Sequence, residues 1–313
     1  MLAKLGIEVV HLDLPFRLNH VNCLSAEGKD GWAIIDTGLN HKKTRAVWHD
    51  KLDNKELKHI YVSHYHPDHF GYAGGLQQLT GASVCMSEID EASGKTVWEP
   101  EFINTIKENY KDYGVPANNM INMTEDTESF VKYITPYPQV YEHFEAGNKI
   151  VFGNYEYEII TTPGHADGLV VFHNEETGTL LSTDHILPDI TPNVAYWFHG
   201  LENPLQAYIN SLNKVKKLEV EFVVPSHGSP FFDANKRINE ILLHHDERLA
   251  FVLDKVENGD TAYQMSDKLF SFELDAHEKR FALGETIAHL DYLVSKGELK
   301  KEKVNEIWQY CFN

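Results

Sequence analysis

Six residues constrain this chain more than any other feature. His64-Tyr65-His66-Pro67-Asp68-His69 places four potential metal ligands in one short run. Pro67 lacks an amide hydrogen and biases His66 towards extended geometry, so the run is expected on a loop leaving a strand at 59–63 rather than inside a helix. In an extended segment residues 64 and 66 project to the same side, so their imidazoles can share one ion. Asp68 and His69, on the turn that follows, can reach a second. The chain holds 18 histidines in 313 residues, so an isolated imidazole says little. A run with these four ligands would nonetheless arise by chance in only roughly 0.4% of such sequences.

Three further residues stand just after strand-like runs. His165 follows Tyr155 to Ile160 in Thr162-Pro163-Gly164-His165, Asp184 ends Leu180-Leu181-Ser182-Thr183-Asp184, and His227 stands in Val224-Pro225-Ser226-His227-Gly228. Other strands are expected at 32–35, 83–86, 149–152, 169–172, 179–182 and 221–224 from their β-branched and aromatic content and their Gly- and Asn-rich separators. Helices are expected at 71–79, stopped by Gly81, and at 204–218. The polar stretch 88–138, with Phe102, Ile106 and Tyr110 at helical spacing, reads as a helical insertion beside the site and a candidate substrate cap. From Asp233 onward the pattern is helical throughout, with a capping box at Thr261 and Gln264. These readings divide the chain into a catalytic domain, 1–232, and a C-terminal region, 233–313.

Composition narrows the function classes. The 28 Lys and Arg against 47 Asp and Glu leave a formal charge of −19, which disfavours nucleic acid and anionic membrane surfaces as partners and points to a small-molecule substrate. No apolar run reaches the ~18 residues that would cross a bilayer. Three widely spaced cysteines, Cys23, Cys85 and Cys311, suit a reducing cytoplasm and offer no thiolate metal site. Self-association, as a homodimer for example, is left open.

With these residues in place, the chain resembles the metallo-β-lactamase superfamily of dinuclear metallohydrolases. The resemblance runs over about residues 7–230. It rests on Ile35-Asp36-Thr37-Gly38, the His64–His69 run, Pro163-Gly164-His165, the strand-end Asp184 and Ser226-His227-Gly228. It implies an α+β fold, a four-layer αββα sandwich with the site at one edge of the paired sheets. It also implies a ligand set: His64, His66 and His165 on one metal, Asp68, His69 and His227 on the other, and Asp184 bridging both. Imidazole and carboxylate without thiolate suit two zinc ions, with iron or manganese admissible. Two ions ~3.5–4 Å apart can share a hydroxide whose pKa has fallen to about 7. Asp68 is then the catalytic carboxylate, orienting the hydroxide or passing its proton to the leaving group. Asp36 reads as the partner of a ligand histidine rather than as a ligand.

The substrate is less sharply drawn. His185, beside Asp184, and Tyr196, in the loop 192–199, are the candidates for substrate contact. The C-terminal region resembles the winged-helix-like tail of a subgroup labelled β-lactamase-like protein 2, some of whose members cleave RNA. The matching features are His244-His245-x-x-Arg248, the Thr261 capping helix and Glu285-Thr286-Ile287-Ala288-His289-Leu290 with Gly297. Residues 240–313 nevertheless hold 9 Lys and Arg against 15 Asp and Glu, the wrong sign for a nucleic-acid module. The leading expectation is hydrolysis of a small carboxylic ester, thioester or lactone. An endoribonuclease of the same fold and a di-iron redox protein are the alternatives.

Overall fold

Two six-stranded sheets take up nearly all the β-branched and aromatic runs of the chain, as the computed structural model of residues 1–313 shows. The first runs in order Ile7–Asp13, His20–Gly28, Gly31–Ile35, Leu57–Tyr61, Ser83–Met86 and Val140–His143. Its first three strands pair antiparallel and the rest parallel. The second runs in order Phe231–Phe232, Phe222–Pro225, Thr179–Thr183, Val170–Asn174, Tyr155–Thr161 and Lys149–Phe152. Only Thr179–Thr183 and Phe222–Pro225 pair parallel there, joined through the helix Pro204–Val215.

The period-2 alternation of the strands decides what lies between the sheets. Tyr157, Ile159, Phe172 and Leu181 from the second sheet meet Leu24, Ala33 and Ile35 from the first in one buried cluster. The opposite faces, Ile34, Ile60 and Val84 on one sheet and Leu180 and Val171 on the other, join a larger cluster with Trp48 and Leu76 on one side and Leu205, Tyr208 and Leu212 on the other. With helices on both outer faces, the architecture is the four-layer αββα sandwich.

Several sequence expectations need correction. The histidine run is not helix-free, because Pro67–Phe70 forms one helical turn that carries Asp68 and His69. Pro67 occupies its first position, where a missing N–H costs nothing, and His66 stays extended (φ −61°, ψ 145°). The chain after Asp233 is not helical throughout. Helices Ala234–Lys255, Ala262–Leu269 and Ala276–Ser295 are followed by a hairpin, Leu299–Val304 with Ile307–Phe312. Its two turn residues, Asn305 and Glu306, both have positive φ, as a tight hairpin turn requires. The stretch 88–138 is indeed helical, Glu88–Thr96, Pro100–Asp112 and Ala117–Ser129, and the chain then adds the edge strand Val140–His143. The C-terminal helices are continuous with the catalytic core: Ile241, Val252, Leu283 and Ile287 share the larger cluster with Tyr208 and Val62. No helix is long and apolar enough to cross a membrane.

Candidate metal centre

Every residue of the centre hangs on a turn at the same end of the sandwich. Leu57–Tyr61 delivers His64 and His66, and the one-turn helix delivers Asp68 and His69. Tyr155–Thr161, Thr179–Thr183 and Phe222–Pro225 deliver His165, Asp184 and His227. Gly164 is required just before His165. At φ 138°, any Cβ there would stand 2.4–2.7 Å from the Cβ, Cα and N of Tyr208.

The structure brings all seven side chains into one cluster with two nodes. His64, His66 and His165 form one, Asp68, His69 and His227 the other, and His69 with Asp184 connects to His64. His64 Nε2 lies 3.0 Å from His66 Nδ1, which lies 2.9 Å from His165 Nε2. Three nitrogens this close suit a single ion with bonds of about 2.0–2.1 Å. In the other node, Asp68 Oδ2 is 3.6 Å from His69 Nε2 and 3.5 Å from His227 Nε2. Asp184 spans the nodes: Oδ2 is 3.4 Å from His165 Nε2 and 3.3 Å from His227 Nε2, and Oδ1 is 3.5 Å from His69 Nε2.

Second partners fix the rings. Asp36 accepts from His69 Nδ1 at 2.8 Å, which leaves His69 Nε2 facing the cluster. The same carboxylate accepts from the Ser63 amide and hydroxyl, each at 2.8 Å, and Ser63 Oγ lies 2.9 Å from His64 Nδ1. One buried carboxylate therefore orients a histidine in each node, His69 directly and His64 through a hydroxyl. His165 Nδ1 donates to the Asn193 carbonyl at 2.7 Å and His227 Nδ1 to the His20 carbonyl at 2.6 Å. Asp90, fully buried, accepts from the amides of Tyr65 (3.1 Å) and Gly168 (2.7 Å) and so ties the His64–His66 segment to the loop carrying His165.

Electrostatics divide the cluster. Burial, with the neighbouring imidazoles, holds His64 and His66 well below the usual histidine range and so in the neutral, ligating form. Burial works the same way on His69 and His227, but Asp184 and Asp68 outweigh it and hold both above that range. Burial opposes ionisation of Asp184, yet His227 and His69 prevail and hold it well below the carboxylate range. His69 Nε2, His227 Nε2 and Asp184 Oδ1 are buried without any hydrogen-bond partner. Each such atom costs about 1–3 kcal/mol, so their concentration at one point fits cation ligands rather than an ordinary polar core.

The two candidates for substrate contact, His185 and Tyr196, both pack on aromatic neighbours. His185 is fully buried with its ring edge-on to Tyr208 at 5.4 Å. Tyr196 packs on Tyr113 and Phe198, and its amide donates to the Gly284 carbonyl. The loop's approach to the centre is made one residue later, where the Trp197 ring lies 6.3 Å from that of His66. Successive side chains of an extended segment point to opposite sides, so Tyr196 and Trp197 face differently.

The comparisons agree with this geometry. Residues 17–227 match the metallo-β-lactamase superfamily, and residues 249–311 match the metallo-β-lactamase-like C-terminal domain. The chain is similar to "Probable metallo-hydrolase YqjP" of Bacillus subtilis, 22% identical over 96% of this chain and 94% of that protein. It is also similar to a linear primary-alkylsulfatase of a Pseudomonas species, 21% identical over 73% of this chain and 45% of that protein. Among solved structures, the metallo-β-lactamase family protein TTHA1429 from Thermus thermophilus superposes with a TM-score of 0.86 at 30% identity, over 98% of this chain and 99% of that one. A β-lactamase domain protein from Burkholderia ambifaria gives 0.84 at 27%, over 98% and 92%. Fold, strand-end ligands and family match coincide: the chain belongs to the metallo-β-lactamase superfamily and is a metal-dependent hydrolase of that fold.

Proposed function

We propose that this hydrolase holds two zinc ions and cleaves a small, uncharged or weakly charged carboxylic ester, thioester or lactone. The observation that carries the reading is the pair of ligand nodes spanned by Asp184, with its partnerless nitrogens and oxygen turned inward. His64, His66 and His165 would hold one ion, Asp68, His69 and His227 the other, with Asp184 shared. Thiolates are absent from the set, which favours zinc over softer ions. Two such ions acidify a water and polarise a carbonyl oxygen.

The rest falls to the chain. Asp36 keeps His69 and, through Ser63, His64 in the tautomers that offer Nε2 to the centre. Asp184 and Asp68 balance the positive charge gathered there. Asp68, partly exposed at 19%, would accept the attacking water's proton and return it to the leaving alcohol or thiol. Tyr65 and Trp197 pack against His66 and narrow the access of bulk water.

A small substrate is preferred to RNA because the C-terminal region is acidic and its arginines are engaged: Arg280 with Asp126 at 2.6 Å and Arg248 with Glu285 at 3.5 Å. The test is kcat/KM of the zinc-loaded protein on p-nitrophenyl esters, thioesters, lactones and a single-stranded RNA, at low and moderate salt. The reading expects salt-insensitive turnover of at least one carboxylic class. Salt-sensitive RNA cleavage abolished by Asp184→Ala, with no carboxylic turnover, would replace it with a nuclease.

A further inference from the structure

A file of aromatic rings leads away from the metal centre. It starts at His66, whose ring lies 6.3 Å from Trp197, and Trp197 meets Phe281 edge-on at 5.1 Å. Phe281 lies 4.8 Å from His277, which closes a triangle of rings with Phe16 (5.0 Å) and Phe130 (5.2 Å), themselves 5.5 Å apart. Four separate parts of the chain contribute: the loop after the strand Ile7–Asp13, the insertion, the loop 192–199 and the helix Ala276–Ser295. Trp197, Phe281, His277 and Phe16 are all half-buried, so each keeps an edge towards solvent. Apolar rings left partly wet beside a reactive centre are the ordinary construction of a ligand subsite.

The charges beside the file are matched. Arg17 pairs with Glu278 at 3.3 Å, and Arg280, over the Phe130 ring, with Asp126 at 2.6 Å. His277 also leans on Asp126, at 3.2 Å. Both arginines that border the rings, Arg17 and Arg280, already have a carboxylate partner. A substrate tail bearing phosphate or carboxylate groups would have to displace one of these pairs, whereas an apolar tail need not.

We infer that this file is the subsite for the substrate's non-reacting portion, and that the portion is an uncharged aryl or medium-length alkyl group. The inference rests on the hydrolase reading above. It assigns Trp197, Phe281, His277 and Phe16 to substrate specificity, with the scissile carbonyl at the His66 end of the file.

Two measurements keep the failure of the subsite apart from the failure of the hydrolase reading. The first is kcat/KM of the zinc-loaded protein along a series of p-nitrophenyl esters from acetate to decanoate, beside benzyl and glutathione thioesters of one acid. Each buried methylene should raise kcat/KM by up to roughly fourfold until the rings are covered, and the benzyl thioester should exceed the glutathione thioester. In Phe281→Ala, and separately in Phe16→Ala on a surface loop, the chain-length slope should flatten. The second, which needs no turnover, is the affinity of the zinc-loaded protein for acetate, octanoate and 4-phenylbutyrate, read by tryptophan fluorescence. Octanoate and phenylbutyrate should bind more tightly than acetate in the wild type, and Phe281→Ala should lose most of the difference. Ester turnover with no dependence on chain length overturns the subsite and leaves the hydrolase. Chain-dependent carboxylate binding without turnover of any ester, thioester or lactone supports the subsite and removes the ester reading. Preference for the glutathione thioester, or equal affinity for all three carboxylates, overturns the subsite.

Discussion

Replacing Asp36 by Asn should disable both metal sites while leaving the fold in place. The position has φ 64°, a left-handed conformation that Asn tolerates as well as Asp, so the exchange adds no backbone strain. Asn can still accept from the Ser63 amide through its one oxygen. Its NH2 group then faces Ser63 Oγ and His69 Nδ1, which now both donate to the carboxylate at 2.8 Å. To avoid donor against donor, His69 must carry its proton on Nε2, the atom turned to the cluster, and Ser63 must turn its hydroxyl towards His64 Nδ1. Both changes withdraw a lone pair from the centre, one in each node. Losing an anionic acceptor behind a ligating histidine weakens metal binding by 10–100-fold, so each ion should bind roughly that much more weakly. The metal-free protein should lose only about 1–3 kcal/mol of stability through the weakened hydrogen bonds. Competition against a chromophoric chelator gives the two zinc dissociation constants, and denaturant unfolding of the metal-free protein gives the stability. Dissociation constants matching wild type would refute the orienting role of Asp36, and a global loss of structure would refute the claim that its work is local.

Three further outcomes follow from the same geometry. Asp68→Ala should lower kcat by 10²–10⁴-fold, the usual range for a proton-transferring carboxylate, with little change in the melting temperature of the metal-free protein; wild-type turnover would remove Asp68 from the chemistry. Asp90→Ala leaves the Tyr65 and Gly168 amides buried without an acceptor, so it should cost roughly 2–6 kcal/mol in urea unfolding, and a change below about 1 kcal/mol would show that the two loops hold without this tie. His245, whose Nδ1 lies 3.2 Å from His289 Nε2, is pushed down to about 2 by burial and by His289, His244 and Arg248. A depressed value means the unfolded chain takes up a proton the native state refuses, so this stability is present above the unfolded value near 6.5 and is lost as pH falls towards 2. Between pH 6.5 and 4.5 the contribution is about 2 kcal/mol. In metal-free His245→Gln the stability should therefore fall less over that interval, while turnover of the zinc-loaded variant at neutral pH stays near wild type. An unchanged pH slope would contradict the assignment.

Much of the centre was legible because ligand chemistry leaves its mark in residue type. His64, His66, Asp68 and His69 declare themselves by spacing, and His165, Asp184 and His227 by standing where strands end. Asp36 could be read as a partner from its place at a neighbouring strand end, where turn-forming alone would have explained it as well. What orients His165 and His227 was not legible, since the Asn193 and His20 carbonyls belong to the backbone and any residue type supplies them. The approach of Trp197 to His66 was not legible, because alternation fixes which neighbours share a face, not which face meets the site. The edge strand Val140–His143 escaped detection because its side chains are mostly exposed and it is held by parallel pairing to Ser83–Met86. The hairpin at the C-terminus was hidden by the charged run Lys300-Lys301-Glu302-Lys303. Lys301 is held there by Asp291 of the preceding helix and by the Tyr113 hydroxyl of the insertion, the latter a contact between parts far apart in the chain.

The central claim is that one cluster of seven side chains holds two ions and that both serve hydrolysis. Its most direct test is a zinc titration of the metal-free protein, following bound metal by elemental analysis and turnover of a responsive ester in the same samples. The account predicts saturation at about two ions per chain, with Asp184→Ala reaching at most one and losing turnover. Saturation well below one ion per chain, or turnover unaffected by complete removal of metal, would contradict it.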